Sequence, residues 1–342
     1  MAAVLPMNAS SRPRAVVVGL GATGYSCVQH LSARGYEVRV ADTRAAPPRS
    51  DDLRANFAAV PTHFGAFDAG FLADADLLVV SPGVALAEPA IQSAIAQGVE
   101  VAGDIELFAR AAKAPVLAIT GSNGKSTVTA LTGELLKAGG CKVLVGGNIG
   151  VPALDLLNET VPDFYVLELS SFQLETTTNL DARAAVILNL SPDHLDRYPG
   201  LREYTAAKAR IWRGRGTVIV NRDDAGVQAI AQPLAAARRK LVSFGLNAPA
   251  SADDFGIMLR DGAATLTKGP HDIMPASEVP LPGRHNLANV LAAAALADQA
   301  RVAPVAERRR MLVGMHNHSR IDPNEFATAE SLTAAIASIS TR

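Results

Sequence analysis

Pro115-Val-Leu-Ala-Ile119, followed by Thr120-Gly-Ser-Asn-Gly-Lys-Ser-Thr127, is the stretch on which the fold turns. The apolar run reads as a strand, the octet as a glycine-rich turn, and residues 128–138 as a helix. Strand, turn, Lys-Ser/Thr and helix together are the layout of a phosphate-binding loop. Backbone N–H groups converge on an anion there, and the helix N-terminus adds partial positive charge. In such a loop Lys125 meets the β- and γ-phosphates, and the hydroxyl of Ser126 or Thr127 meets Mg²⁺. The full eight-residue pattern has a glycine where this chain has Ile119. The match is therefore the shorter Gly121-x-x-Gly124-Lys125-Ser126-Thr127, with a purely structural glycine turn as the alternative.

A second glycine cluster lies upstream. Gly19-Leu-Gly21-Ala22-Thr23-Gly24 follows Ala15-Val-Val-Val18 and opens a helix, and the next strand, residues 37–41, ends at Asp42. That is the dinucleotide fingerprint in its structural context, and the same geometry serves any pyrophosphate ligand, UDP-sugars included. A third strand over residues 77–80 runs into Ser81-Pro82-Gly83. Strands alternating with helices predict an α/β chain of two parts. The first, residues 1–104, is Rossmann-like. The second, residues 105–303, is a P-loop-type ATPase domain with a mostly parallel, doubly wound sheet. Residues 250–282 read as short antiparallel strands, residues 286–298 as a helix, and the pattern thins after residue 304.

At 342 residues the chain has room for two domains and part of a third. With 49% hydrophobic and 19% charged residues it can bury a large core, which excludes wholesale disorder. A net charge of −1 gives no electrostatic reason to expect nucleic acid or an anionic membrane as partner. Two cysteines, Cys27 and Cys141, make no disulfide framework and read as small packing residues of a reduced, cytoplasmic protein. No run approaches the ~18 apolar residues of a spanning helix, so no membrane insertion is expected.

In open α/β sheets ligands lie beyond the carboxyl ends of the strands. Four apolar runs of the second part end in polar groups at that position. They are Gly146-Gly-Asn148-Ile-Gly150, Glu168-Leu-Ser170-Ser-Phe-Gln173, Ser191-Pro-Asp193-His194-Leu-Asp196-Arg197 and Asn221-Arg-Asp-Asp224. A carboxylate after an apolar strand, downstream of a phosphate loop, is the natural Mg²⁺ ligand, and Glu168 fills that position. His194 reads equally as a ligand or as a surface residue, and Asp196 as a ligand or a helix N-cap. Lys208 sits in a helical stretch, where most lysines are solvated. Asn286 and Asn289 share a helix face, as an N-cap with a surface amide or as a pair reading an adenine edge.

Taken together, these residues are similar to the Mur ligase family, most closely to its D-glutamate-adding member. The resemblance runs from about residue 15 to residue 298. It is carried by the segments 146–150, 167–175 (Leu-Glu-Leu-Ser-Ser-Phe-Gln-Leu-Glu), 193–198 (Asp-His-Leu-Asp-Arg-Tyr) and 285–289 (His-Asn-Leu-Ala-Asn). It implies that Gly21, Ala22, Thr23, Gly24, Asp42, Thr43, Arg44 and Gly83 hold a UDP moiety. Asn148, Ser170 and His194 would line the muramoyl-alanine end. Gly121, Ser122, Asn123, Gly124, Lys125, Ser126 and Thr127 would bind ATP, with Asn286 and Asn289 beside the adenine. Ser126, Glu168, His194 and Lys208 would hold two Mg²⁺ ions, Lys208 as a carbamate. Lys125, Lys208 and His194 are the implied catalytic residues. The implied reaction activates the carboxylate of UDP-N-acetylmuramoyl-L-alanine with ATP and joins it to D-glutamate, in a cytoplasmic monomer.

The family's third domain, which binds glutamate, is represented in this reading only by residues 304–342. Met315-His-Asn-His-Ser-Arg320 is a blurred version of its opening, Arg320 stands where a phosphate-contacting arginine is expected, and residues 327–340 suit a single helix. The expectation is a truncated or frame-shifted ligase that binds substrate but makes little amide. Two other classes compete. One is a non-catalytic nucleotide or UDP-sugar binding protein. The other is an NAD-dependent oxidoreductase, which leaves Lys125, Glu168 and His194 without a role. A folylpolyglutamate-synthase-like ligase shares the ATP loop but has no need of the UDP-type first domain.

Overall fold

The computed structural model describes residues 12–194 and 196–300. The expectations for Arg320 and for residues 304–342 lie outside the described residues. The described residues divide into two compact units: those up to Ala111 with Pro152–Asn158 and Glu175–Thr177, and the remainder from Ala112 onward. The sequence-based boundary at 104/105 falls one helix earlier than this division.

Unit 1 runs β1 (Arg14–Val18), α1 (Ala22–Ala33), β2 (Glu37–Asp42), α2 (Ser50–Asn56), β3 (Thr62–Phe64), α3 (Ala69–Ala73), β4 (Leu77–Val80), α4 (Pro89–Ala96), β5 (Glu100–Ala102) and α5 (Asp104–Ala111). The sheet order β3-β2-β1-β4-β5, with every pairing parallel, is the Rossmann arrangement. Its switch point lies between β1 and β4, so the loops after those strands face one crevice. β4 is buried along its whole length, which is why it reads as Leu-Leu-Val-Val without alternation. The short strand β3 escaped the sequence reading because its Thr-His-Phe has neither length nor period.

Unit 2 contains β6 (Val116–Thr120), α6 (Lys125–Ala138), β7 (Val143–Gly147), β8 (Phe164–Glu168), α7 (Ser171–Glu175), β9 (Ala184–Ile187), α8 (Leu201–Ala209), β10 (Thr217–Asn221), α9 (Ala225–Ala236), β11 (Leu241–Phe244), β12 (Phe255–Arg260), β13 (Ala263–Lys268), β14 (His271–Pro275) and α10 (Arg284–Gln299). Nine strands form one sheet in the order β14-β13-β12-β11-β10-β9-β6-β8-β7. It is parallel from β7 across to β12 and antiparallel only in the β12–β13–β14 meander. Asp261 and Gly262 both have positive φ, 50° and 80°, which suits the tight turn joining β12 to β13. β6 and β9 are wholly buried, so an unbroken apolar run is their signature. Alanines 292–295 and 297 of α10 are buried in the core that also takes α6 residues Val128, Leu135 and Leu136, and their small side chains permit close helix approach.

The structure corrects two local readings. Asp196 is no N-cap, because α8 begins at Leu201 behind Gly200. The helix after the phosphate loop starts at Lys125 rather than at residue 128, since Gly124 takes up the left-handed turn with φ 82°.

Candidate functional site

The phosphate loop leaves β6 at the point where its neighbours are β8 on one side and β9 on the other, the switch point of the large sheet. Glycines permit the approach. A Cβ on Gly121 would come within 2.9 Å of Leu188, and one on Gly124 within 2.7 Å of Asn289 Oδ1. The Asn123 N–H donates to Asn189 Oδ1 at 2.8 Å, and Asn189 Nδ2 donates back to the Asn123 carbonyl at 3.0 Å. Asn189 was not singled out from sequence; an amide just past a buried strand was its only signal.

Two lysines converge on the loop. Lys125 Nζ donates to the carbonyls of Gly121 and Ser122, both at 3.0 Å, and Lys208 Nζ donates to the same Gly121 carbonyl at 2.9 Å. Lys208 is only 2% exposed, so the solvated-lysine reading fails. Burial and the neighbouring charge of Lys125 lower its pKa from 10.5 to about 7, against the opposing pull of Asp193 and Glu168. Its ammonium lies 4.7 Å from the centre of the Tyr204 ring. Tyr204, fully buried, meets Ser122 Oγ through its hydroxyl at 3.0 Å, and Ser122 Oγ also accepts from Ser191 N–H at 3.0 Å. Tyr204 was missed, although its place four residues before Lys208 puts both on one helix face.

Glu168, 1% exposed, closes β8. Its Oε2 accepts from Ser126 Oγ at 2.9 Å and its Oε1 from Asn148 Nδ2 at 2.7 Å. Both donors are neutral, so a buried carboxylate and a hydroxyl oxygen stand together as a pair of hard ligands. His194 sits at φ 52° with its ring 4.7 Å from Phe172 and 3.4 Å from Asp193 Oδ2. Among the described residues no group of three or more His, Cys, Asp or Glu side chains forms a metal cluster. Ser170 caps α7: its hydroxyl accepts from Gln173 N–H at 3.2 Å, and Gln173 Oε1 accepts from Ser170 N–H at 3.0 Å. Ser-x-x-Gln is a capping box, a signal present in the sequence. Asn289 Nδ2 donates to Asn286 Oδ1 at 3.1 Å, and Asn286 Nδ2 to the Pro282 carbonyl at 2.7 Å. The two asparagines thus form a bonded pair, with Asn289 against Gly124.

In unit 1 the glycine loop has its own geometry. Gly19 has φ 93°, and a Cβ on Gly24 would lie 1.9 Å from the Gly19 carbonyl oxygen. Ser81 Oγ donates to that oxygen at 2.8 Å. Asp42 accepts from Leu20 N–H at 2.7 Å and from Arg44 through Nε at 2.8 Å and the second guanidinium nitrogen at 2.6 Å. Burial pushes the Asp42 carboxyl up, but these bonds prevail and hold it below its ordinary value. Thr43 and Gly83 are exposed, Ala22 also, and Thr23 half-buried. Gly21, Ala22, Thr23, Gly24, Asp42, Thr43, Arg44 and Gly83 belong to unit 1, whereas Asn148, Ser170 and His194 belong to unit 2. No helix among the described residues is long and apolar enough to cross a membrane.

Comparison with known proteins follows the same division. Residues 13–103 match the Mur ligase MurD-like N-terminal domain, and residues 119–297 the Mur ligase middle domain. The UDP-N-acetylmuramoylalanine–D-glutamate ligase of Nitrosococcus oceani is 50% identical over 293 residues, 86% of this chain and 64% of that protein. The ligase of the same name from Pseudomonas savastanoi is 52% identical over 281 residues, 82% of this chain and 61% of its own length. The chain thus spans somewhat under two thirds of these relatives. The crystal structure of UDP-N-acetylmuramate:L-alanyl-γ-D-glutamyl-meso-diaminopimelate ligase from Neisseria meningitides aligns with a TM-score of 0.60 at 19% identity, covering 89% of this chain and 98% of that one. At that identity the likeness shows the fold alone. Two domain matches in order, and half-identical relatives along most of its length, establish that this chain belongs to the Mur ligase family.

Proposed function

We propose that this chain carries the UDP-substrate and ATP sites of a UDP-N-acetylmuramoyl-L-alanine–D-glutamate ligase. The observation that carries the reading is the convergence on one loop of Lys125, Lys208 and the buried Glu168–Ser126 pair. The proposed reaction transfers the γ-phosphoryl group of ATP to the alanine carboxylate, releasing ADP and leaving an acyl phosphate. The glutamate amine then attacks the acyl carbon, phosphate leaves, and the amine gives up a proton to form the amide. Such transfers depend on positioning and on neutralising charge. The loop N–H groups and Lys125 hold the phosphates, exchanging the loop's own carbonyls for phosphate oxygens. Asn286 and Asn289 are assigned to the adenine side and His194 to the acyl end.

The hard oxygen pair of Glu168 and Ser126 suits Mg²⁺, which when bound supplies charge neutralisation at the phosphates. Burial and the Lys125 charge lower the Lys208 pKa to about 7, which favours the neutral amine, the form that reacts with CO₂ to give a carbamate and a proton. That carbamate would complete a second Mg²⁺ site. In unit 1 the residue 21–24 loop receives the diphosphate, and the Asp42–Arg44 pair holds the loop's shape while Arg44 faces the nucleotide.

Calorimetry of the 342-residue chain tests the reading. Separate saturable binding of UDP-N-acetylmuramoyl-L-alanine and of Mg²⁺ with a non-hydrolysable ATP analogue is expected, with no binding of NADH. NADH binding without the UDP ligand would overturn it.

A further inference from the structure

We infer that Ser26 and Asp155 are positioning residues for Glu168, acting through a hydrogen-bonded path that starts one turn into α1. The course of the chain is the first observation. β7 and β8 end at Gly147 and Glu168 in unit 2, yet the segments that follow them, Pro152–Asn158 and Glu175–Thr177, belong to unit 1. The first is a 3-10 helix over Ala153–Asn158 whose Ala153, Leu154 and Leu156 are buried and which packs on α1 and α5. The second holds Thr177 at 1% exposure, and Thr176 Oγ1 leaves only 2.2 Å for a Cβ on Gly103. Both strands that present the Glu168 corner are therefore continued by straps seated in the other unit's core.

The second observation is the polar bond that seats one strap. Ser26, 2% exposed, donates from Oγ to Asp155 Oδ1 at 2.5 Å, the length of a charge-assisted hydroxyl–carboxylate bond. From Asp155 the path is continuous. Asp155 N–H donates to the Pro152 carbonyl at 3.0 Å, and the proline ring locks φ at the start of the strap. Gly147 N–H donates to the Val151 carbonyl at 2.9 Å, closing the loop that carries Asn148. Asn148 N–H then donates to the Glu168 carbonyl at 2.8 Å, and its side chain to Oε1 at 2.7 Å. Slack is absent at the turn, since a Cβ on Gly147 would stand 2.3 Å from the Glu168 carbonyl oxygen. Each bond lies within one unit, and only the covalent link at 151/152 passes between them. A ligand that shifts the N-terminus of α1 thereby displaces Asp155, and the covalent link at 151/152 passes the displacement to the loop that carries Asn148 and on to Glu168.

The inference rests on the proposed UDP and Mg²⁺–nucleotide sites, and its test separates the two. The affinity of the 342-residue chain for Mg²⁺ with a non-hydrolysable ATP analogue is measured with and without saturating UDP-N-acetylmuramoyl-L-alanine. In the unaltered chain the two affinities differ by about fivefold or more, the lower end of ordinary site-to-site coupling. Ser26→Ala and Asp155→Ala each bring that ratio below about twofold while the affinity for either ligand alone stays within about twofold. Asp155→Asn, which keeps an acceptor for Ser26, retains most of the coupling, and the Ser26→Ala/Asp155→Ala double variant loses no more than either single one. Thermal melting confirms that the variants fold, and Ser26→Ala decides alone if Asp155→Ala does not. Undiminished coupling in folded Ser26→Ala, or no coupling in the unaltered chain, overturns the inference with the functional reading intact. Failure of the UDP ligand to bind overturns both.

Discussion

Lys125 and Lys208 share one acceptor, the Gly121 carbonyl, and so cannot do the same work. Lys125, half-buried, remains able to follow a phosphate, whereas Lys208 is sealed beneath the Tyr204 ring. Lys125→Ala is expected to weaken nucleotide binding by ~1.5–3 kcal/mol, the worth of a charged hydrogen bond. Binding of the UDP ligand, which we assign to the other glycine loop, should be unchanged; calorimetry with each ligand measures both, and equal losses would refute the division. Lys208→Ala is expected to lose ATP turnover that added acetate or bicarbonate partly restores, a small carboxylate standing in for the proposed carbamate. Phosphate release with and without the additive reads this out, and full activity in the unsupplemented variant would remove Lys208 from the chemistry.

At the scale of elements, Gly19 and Gly24 in one glycine loop and Gly121 and Gly124 in the other have contacts that leave no space for a side chain. Gly24→Ala would drive a methyl into the Gly19 carbonyl at the β1–α1 junction, where backbone rather than a flexible side chain must yield. A destabilisation of ~1–3 kcal/mol is expected from such overpacking. Urea denaturation measures it, and calorimetry should show the UDP ligand bound at least tenfold more weakly. Element positions were legible where burial makes the code simple. β4, β6 and β9 are apolar throughout because both faces of their parallel sheet are covered; β4 and β6 were placed within one residue, whereas the apolar run before Ser191 overshoots β9, which ends at Ile187. β3 and β11 were not legible, since a three-residue edge strand and a half-buried Leu-Val-Ser-Phe carry no distinct period. Of the two readings left open for Asp196, the N-cap is excluded, because α8 waits for the turn ending at Gly200.

For the molecule as a whole, two buried bases set the dependence of stability on pH. Burial and the nearby Arg34 charge lower the His30 pKa from 6.5 to about 4. Between those values the unfolded chain binds a proton that the folded chain refuses, so stability falls as pH drops from 6.5 towards 4. Lys208 acts in the same sense at higher pH. Above about 7 its folded amine is neutral while the unfolded one stays charged, so stability rises with pH from about 7. Above 9 the thiol of Cys27, whose pKa burial and the charges of Asp104 and Asp155 raise, opposes this rise. Urea midpoints between pH 4 and 9 should show both limbs. Lys208→Met should flatten the upper limb alone, and an unaltered slope above pH 7 in that variant would contradict the assignment.

Local order alone determined the fold class, the two glycine loops, the strand ends and the family resemblance of this chain. Each is written in spacings of a few residues, and backbone sterics and burial act at that range. The tertiary structure decided what no spacing contains. Lys208 is a buried amine of lowered pKa only because α8 lays it on a carbonyl that lies 87 residues away in sequence. Asp42 accepts from the Leu20 N–H, 22 residues before it. Ser26 and Asp155, 129 positions apart, carried no motif at all. Desolvation and hydrogen bonding between distant segments depend on which surfaces the whole chain brings together, and only packing supplies that.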